Sequence, residues 1–367
     1  MRYGFIFLFI FSIILIFIIL KKITQNHYWL HQPVFSYQKK TQNDSKILVN
    51  LDKFKLTRND EKIKNIIYKK YENIDTINQY NIIQFLNKYY NDDLIFTEEL
   101  LKKIITKHNI TSNYVFDYCF QEDVLIGLLF SKYISLKING KDYKTVIVDY
   151  GCIHPKFQRK RIFTNLINRV IENMQNIHYP IAIHKSDDKP LPQKHHLKIE
   201  YRIISIPTQT KSIPLNKLTI NNINNISFDD ITEIFKQYKI YYNFDIKSFN
   251  QEFVTELPHC LTIINSDPLV LINGYFQNYN LNSKATKIFE IRYVLYSKLT
   301  NNTYDIIKNM IHSIAYNYDI NKFVFQNIGG NIVLNKIFKT IFGHTTYIYI
   351  YNYDHIPLKS EEFFFNF

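Results

Sequence analysis

The sequence predicts an α+β protein with a mostly antiparallel, twisted sheet flanked by helices. Two strand-like runs, Tyr133 to Ile138 and Lys141 to Val148, are joined by Asn139-Gly140. This pair is the strongest short hairpin signal, because both residues accept a positive φ. Four apolar residues further along recur at the spacing of one buried helix face: Phe163, Leu166, Ile167 and Val170.

The remaining elements follow from the same periodicities. In the first part of the chain we expect helices at Ile82 to Tyr90 and Glu98 to Lys107, and strands at Tyr114 to Phe120, Val124 to Phe130, Pro180 to His184 and Leu197 to Ile204. The second part repeats a comparable order: helix Phe228 to Tyr238, strands Cys260 to Ile264, Leu269 to Phe276 and Phe289 to Tyr296, helix Tyr304 to Tyr316, strand Lys322 to Gln326, helix Ile332 to Phe342 and strand Thr346 to Tyr353.

Composition narrows the function classes. With 367 residues, of which 46% are hydrophobic, the chain can bury a sizeable core and is long enough for two domains. The net charge of +13 favours an anionic partner, but the aromatic residues are spread through strands rather than gathered with the basic ones, so we expect no nucleic acid. Cys119, Cys152 and Cys260 have no paired spacing, which indicates neither a disulfide framework nor a metal site.

A basic turn is the most informative local feature. The apolar strand that ends at Tyr150, Gly151 and Cys152 runs into the turn Lys156 to Arg161, and the amphipathic helix follows. Backbone N–H groups, cations and a helix N-terminus thus meet at a strand end, as binding of a phosphorylated acyl carrier requires. Alternatively, a run of Lys and Arg is an ordinary solvated surface.

Several segments, in order along the chain, resemble eukaryotic N-myristoyltransferases. His27 to Val34 is similar to the aromatic-Trp-x-x-Gln-Pro-Val segment, and Cys152 to Arg161 is similar to Cys-Val-His-x-x-x-Arg-x-Lys-Arg. Further similar segments are Phe85 to Asp93 with Phe96, Ile206-Pro207 with Pro214-Leu215, Arg292 to Tyr296, and Tyr349 to Tyr353. The resemblance covers about residues 26 to 367.

The resemblance implies a fold of two fused GCN5-related acetyltransferase-like halves. The expected domains are an acyl-CoA-binding half at 24–206 and a half at 207–367 that contributes the acceptor site. The implied reaction transfers a myristoyl group from myristoyl-CoA, a co-substrate rather than a permanent cofactor, to the N-terminal glycine amine of a protein. We expect a monomer.

Site residues are carried over from the family position by position. The resemblance assigns the oxyanion hole to the backbone N–H groups of Tyr150 and Gly151, and the base to the C-terminal carboxylate of Phe367. It assigns CoA binding to His27, Tyr28, Trp29, Ile153, Gln158, Arg159, Lys160, Arg161 and Ile162. It assigns acceptor binding to Tyr89, Tyr90, Asp92, Asp93, Phe96 and Tyr296.

Two departures from the family leave alternatives open. The family's acceptor-groove region is shortened and rewritten at His184 to His196, and Asn327 to Asn331 lacks a family carboxylate and contains two glycines. The alternatives are an acyltransferase with a different amine acceptor, and a protein that binds acyl-CoA or acylated peptides without catalysis.

The N-terminus predicts a membrane anchor. Gly4 to Leu20 is an almost unbroken apolar run, and at about 1.5 Å per residue it would reach roughly 26 Å, near the lower limit for a bilayer. We therefore expect a transmembrane segment within residues 1–23 and a single-pass membrane protein whose catalytic part faces the cytosol. A cleaved signal peptide is the competing interpretation.

Overall fold

The computed structural model describes the following parts of the chain: residues 65–71, 76–90, 95–98, 114–191, 195–207, 219–220, 228–243, 260–281, 284–353 and 358–364, with Leu15, Ile47, Leu51 and Leu101. All structural statements below refer to these residues.

The strands of the described residues are β1 (Ile66–Tyr71), β2 (Tyr114–Gln121), β3 (Val124–Ile138), β4 (Lys141–Ile153), β5 (Ile181–Asp187), β6 (Leu197–Ser205), β7 (Thr219–Ile220), β8 (Ile240–Tyr242), β9 (Cys260–Ser266), β10 (Leu269–Leu281), β11 (Lys284–Tyr296), β12 (Lys322–Gln326), β13 (Thr340–Tyr351) and β14 (Phe363–Phe364). The helices are α1 (Thr76–Tyr89), α2 (Ile162–Asn176), α3 (Phe228–Phe235), α4 (Asn301–Tyr318) and α5 (Leu334–Ile337). Short 3-10 turns lie at Pro155–Phe157, Gly329–Val333 and Ser360–Glu362.

One mostly antiparallel sheet runs through the molecule, which confirms the predicted α+β class. Its strand order is β1-β2-β3-β4-β5-β13-β6-β12-β11-β10-β9-β7, while β8 pairs with β3 and β14 pairs with β8. Two pairs in the main order are parallel, β4 with β5 and β11 with β12, and a helix connects the strands of each pair. Each of these connecting helices packs its apolar side chains against apolar residues of the sheet.

The predicted hairpin is present. Asn139 and Gly140 adopt φ values of 50° and 76°, which turn β3 directly into β4. The strands are longer than predicted, because β3 continues without a break from Val124 to Ile138. Helix α2 likewise occurs as predicted, with Leu166 and Val170 on its buried face.

The middle of the sheet interleaves distant parts of the chain. Strand β13 lies between β5 and β6: Tyr349 pairs with His184 on one side, and Ile348 pairs with Leu197 on the other. One sheet therefore contains strands from both sides of the predicted boundary at residues 206 and 207. The division into two domains at this boundary stays a prediction.

The predicted helix from Ile332 to Phe342 is wrong. The chain forms the 3-10 turn Gly329–Val333 and the four-residue helix α5, and β13 already begins at Thr340. Apolar residues at 334, 337, 338 and 341 have a helical spacing, but pairing of β13 along β6 outweighs this local pattern.

The C-terminal segment passes into the core. Strand β14 pairs in parallel with β8, and the side chains of Phe363 and Phe364 are 0% and 2% exposed. Lys239 binds the carboxylate of Glu362 at 2.7 Å beside this pairing. The described part of the C-terminal segment therefore packs inside the protein.

The predicted membrane localisation is corrected. No helix within the described parts of the chain is long and apolar enough to cross a bilayer, a span that takes about 20 mostly apolar residues. The 18-residue helix α4, the longest described, carries Asp305 and Lys308. The apolar run at residues 4–20 lies outside the described residues except for Leu15.

Candidate active site

A cavity opens where β4 and β5 separate. The two strands pair in parallel only from Thr145 with Ile181 to Val148 with His184. Beyond this point β5 pairs with β13 alone, and a cavity of about 280 Å³ lies between the diverging strands. Such a wedge admits a ligand between the strands without breaking any ladder hydrogen bond.

The cavity is lined by both apolar and polar residues. Helix α2 and its neighbours supply the apolar lining residues, which are Leu129, Val148, Phe163, Ile167, Val170, Ile171, Met174, Ala182, Leu191 and Tyr351. The polar lining residues are Tyr90, Asp149, His184, Lys185, Ser186 and Asp187, and those of β5 alternate between the two faces of that strand. A hydrocarbon chain buried against the apolar residues would be stabilised by about 0.8 kcal/mol for each methylene group.

A β-bulge places the predicted oxyanion residues in the cavity wall. Phe130 pairs with Asp149 and Leu128 pairs with Cys152, so Tyr150 and Gly151 together face only Leu129. Tyr150 adopts a left-handed φ of 50°. Bulges of this kind re-aim backbone groups, and both residues line the cavity.

Gly151 leaves room at this bulge for two neighbouring side chains. A Cβ on Gly151 would lie 2.5 Å from Cε2 of Phe163 and 3.0 Å from Cδ1 of Leu129. The glycine thus keeps the cavity open between α2 and the bulge.

The backbone N–H of Tyr150 donates a hydrogen bond of 2.8 Å to Oδ1 of Asp149. Sequence reasoning assigned this N–H to the thioester oxygen, and the structure shows it bound to a carboxylate. Its use in an oxyanion hole stays a prediction that requires exchange of this bond.

A buried ion pair was missed by the sequence analysis. Nζ of Lys185 lies 3.3 Å from Oδ2 of Asp149, and the two side chains are 15% and 7% exposed. Burial is the largest single influence on Lys185 and lowers its pKa. Asp149, together with Tyr201, Tyr90 and Asp187, outweighs it, so the pKa of the Lys185 ammonium lies well above its ordinary value. Each residue interrupts an apolar strand pattern, a signal that could have indicated the site.

Burial also sets the protonation of two other groups here. It lowers the pKa of His184 to about 4, so this imidazole is neutral at physiological pH. It raises the pKa of the Cys152 thiol to about 12, so this cysteine remains a thiol and is a poor nucleophile.

The basic turn lies between the bulge and α2. Gln158, Arg159, Lys160 and Arg161 are exposed. Arg159 and Arg161 adopt left-handed φ values of 62° and 65°, and no side chain caps the N-terminus of α2 at Arg161. Backbone N–H groups in such turns form anion-binding concavities. The neighbouring Ile153 is half-buried and Ile162 is buried in the core beneath the turn.

Three predicted acceptor residues lie beside this site. The rings of Tyr90 and Phe96 are 5.7 and 5.8 Å from that of Tyr150, and the ring of Tyr89 is 4.6 Å from that of His154. The side-chain amide of Asn87 binds both backbone groups of Phe96 at 2.7 and 2.9 Å, which fixes this ring against α1.

Of the remaining predicted site residues, one is described and six are not. Tyr296 ends β11 and packs against the core cluster that contains α4, so it does not line the cavity. His27, Tyr28, Trp29, Asp92, Asp93 and Phe367 lie outside the described residues. Among the residues that are described, no group of three or more His, Cys, Asp or Glu could hold a metal ion.

The fold was compared with solved structures. A crystal structure of Saccharomyces cerevisiae N-myristoyltransferase with bound myristoyl-CoA matches with a TM-score of 0.71 and 15% identity, over 91% of this chain and 90% of that one. The chain has the N-myristoyltransferase fold. A second structure of the yeast enzyme with myristoyl-CoA also gives 0.71, at 14% identity over 90% of this chain and 93% of that one.

The N-myristoyltransferase resemblance predicted from sequence is confirmed at the level of the fold. No known protein family and no curated protein matches this chain by sequence. The likeness is one of fold, at 15% and 14% sequence identity.

Proposed function

We propose that the protein is an acyl-CoA N-acyltransferase that transfers a long acyl chain to the N-terminal glycine amine of a protein or peptide. The observation that carries this proposal is the cavity between β4 and β5, which brings apolar residues of α2 together with the Tyr150–Gly151 bulge. The basic turn lies in the chain between that bulge and α2, outside the cavity lining. The N-myristoyltransferase fold supports the same reaction class.

The cavity and the basic turn together offer a place for each part of an acyl-CoA. The phosphates would lie at Arg159, Lys160 and Arg161, the acyl chain along Phe163, Ile167 and Val170, and the thioester at the bulge between them. In the reaction the amine nitrogen bonds to the carbonyl carbon and negative charge develops on the carbonyl oxygen. The C–S bond then breaks, the CoA thiolate leaves, and the nitrogen loses its proton to a base.

We propose the C-terminal carboxylate of Phe367 as that base. Support comes from Phe363 and Phe364, which the structure buries beside Tyr238, Tyr293 and Gly329. The last three residues of the chain therefore follow a segment that is buried in the core. An α-amino group with a pKa of about 7.7 to 8.0 is mostly protonated at neutral pH, so it needs such a base.

The test is an incubation of the full chain with labelled myristoyl-CoA and a peptide that begins with glycine. We expect label on the peptide, and none on the same peptide with an acetylated N-terminus. Extension of the chain by a few residues beyond Phe367 should abolish transfer while acyl-CoA still binds. Undiminished transfer by the extended chain would exclude the terminal carboxylate as base.

One observation favours a second candidate, a protein that binds acyl-CoA without transfer. The N–H of Tyr150 is bound to Asp149, so a main-chain donor that the reaction would use is occupied. Tight acyl-CoA binding without transfer to any amine would support this candidate.

A further inference from the structure

A buried charge pair in the cavity has no role in the scheme carried over from the resemblance. Asp149 accepts the N–H of Tyr150 through Oδ1 and faces Lys185 through Oδ2 at 3.3 Å. Both side chains line the cavity, together with Tyr150 and Gly151. An isolated buried ion pair contributes little to stability, since desolvation offsets the attraction. Stability alone therefore does not explain why this ion pair lies at the bulge.

The position of Lys185 is defined by the two strands that form the cavity. It is the first residue of β5 beyond the last pair with β4, Val148 with His184. Its partner Asp149 immediately precedes the bulge on β4. Lys185 and Asp149 thus line the same cavity as Tyr150 and Gly151, at the point where β4 and β5 separate.

In the proposed function the acyl chain lies along α2 and the CoA phosphates lie at the basic turn, so the thioester carbonyl would lie near the bulge between them. We propose that Lys185 is a catalytic residue that donates to the thioester oxygen, and that Asp149 is the residue that positions it. This inference rests on the proposed function.

The proposal explains the contact between Asp149 and the bulge. One oxygen of the Asp149 carboxylate accepts a hydrogen bond from the N–H of Tyr150. The other oxygen faces the ammonium group of Lys185, which is a charged donor. A charged donor in a site with little water stabilises a developing oxyanion more strongly than a neutral amide does. As the amine attacks, the carbonyl electrons move to oxygen beside the ammonium, and they return when the C–S bond breaks. Lys185 keeps its proton throughout.

The first experiment measures transfer by the full chain and its variants. Lys185→Met removes the charge and keeps the length of the side chain. We expect kcat to fall about 10²- to 10³-fold, the effect typical of the loss of one oxyanion donor, with the Kd for acyl-CoA changed less than about threefold. Lys198→Met, on the exposed side of β6, is the matched control and should transfer at the wild-type rate.

A second variant separates catalysis from folding. Lys185→Met leaves Asp149 buried opposite an apolar group, whereas the double variant Asp149→Asn with Lys185→Met places a neutral amide there instead. If the pair serves only the fold, the double variant recovers the wild-type kcat, and the proposal is overturned. If Lys185 acts on the substrate, the double variant folds and stays as slow as the single one.

The decisive measurement is the infrared carbonyl stretch of ¹³C-labelled acyl-CoA bound to the protein. Polarisation by Lys185 should lower this frequency in the wild type relative to Lys185→Met, and this does not require turnover. Identical frequencies would overturn the inference even if transfer occurs. A lowered frequency without transfer would support Lys185 while the proposed transferase function fails. Absence of acyl-CoA binding to the wild type would overturn both.

Discussion

Asn331 accepts a hydrogen bond of 2.8 Å from the backbone N–H of Val294 through its side-chain oxygen. Its amide nitrogen donates to the carbonyl oxygen of Arg292 at 2.9 Å, so one side chain holds the 3-10 turn Gly329–Val333 flat against β11. The same turn packs against Phe364 of the C-terminal strand. The two glycines that depart from the family pattern are thus explained by close packing.

Replacement of Gly330 by Ala should destabilise the protein strongly. A Cβ there would lie 1.9 Å from the carbonyl oxygen of Val294, a backbone atom that cannot move aside. We expect a loss of about 3 kcal/mol in the free energy of unfolding, at the upper end for overpacking. Chemical denaturation measures it. Gly343→Ala is the control, because its nearest atom is 3.3 Å away; equal midpoints for the two variants would refute this account.

The triple variant Arg159→Ala, Lys160→Ala and Arg161→Ala should weaken CoA binding at least tenfold and leave the unfolding midpoint unchanged. The three side chains are exposed at the N-terminus of α2, where they can neutralise phosphates without supporting the core. Isothermal titration with CoA checks this. Alanine at the exposed Lys308, Lys336 and Lys339 removes the same charge elsewhere. The phosphate-site assignment falls if both triple variants bind CoA equally well.

Gly151→Ala should lower the affinity for long-chain acyl-CoA about tenfold, or about 1.4 kcal/mol, and leave the affinity for CoA alone unchanged. The added methyl group narrows the cavity, while the 43% exposed Phe163 ring can turn aside so that the fold survives. Gly140→Ala, at the hairpin tip, strains a left-handed φ but lies far from α2 and should alter neither affinity. Equal losses of affinity for CoA and for acyl-CoA would contradict the proposed position of the acyl chain beside Gly151.

His184 should make the protein less stable in acid. Burial lowers its pKa from 6.5 to about 4. Between these values the unfolded chain binds a proton that the folded protein does not, so the free energy of unfolding falls as pH falls through this window, by at most about 3 kcal/mol. His184→Phe retains the ring stack on Tyr349 and should lose less stability between pH 7 and pH 4.5 in denaturant titrations. An equal loss in the variant would show that other groups cause it.

Local patterns predicted the elements whose determinants are local. The Asn139-Gly140 turn and helix α2 depend on residues close together in the chain, and both occur as expected, although Phe163 of the predicted buried face is 43% exposed. The basic turn likewise forms beside the bulge. Resemblance to a family added the fold, which single-sequence periodicity could not supply.

What the patterns missed depends on distant contacts. Strand β13 begins at Thr340 because it pairs with residues of β6 more than a hundred positions earlier. Asp149 and Lys185 meet only because β4 and β5 separate at one residue pair, and neither residue predicts the other. The occupied N–H of Tyr150 depends on a side-chain rotamer that the sequence does not reveal.

The insertion of β13 between β5 and β6 has a consequence for biosynthesis. Until residues 340–351 emerge from the ribosome, β5 and β6 lack the strand that pairs with both of them. The backbone of His184 and Lys185 in the cavity wall then has no hydrogen-bonding partner in β13. A nascent chain halted before Thr340 should therefore be protease-sensitive at β5 and β6, and should acquire acyl-CoA binding only after translation is nearly complete.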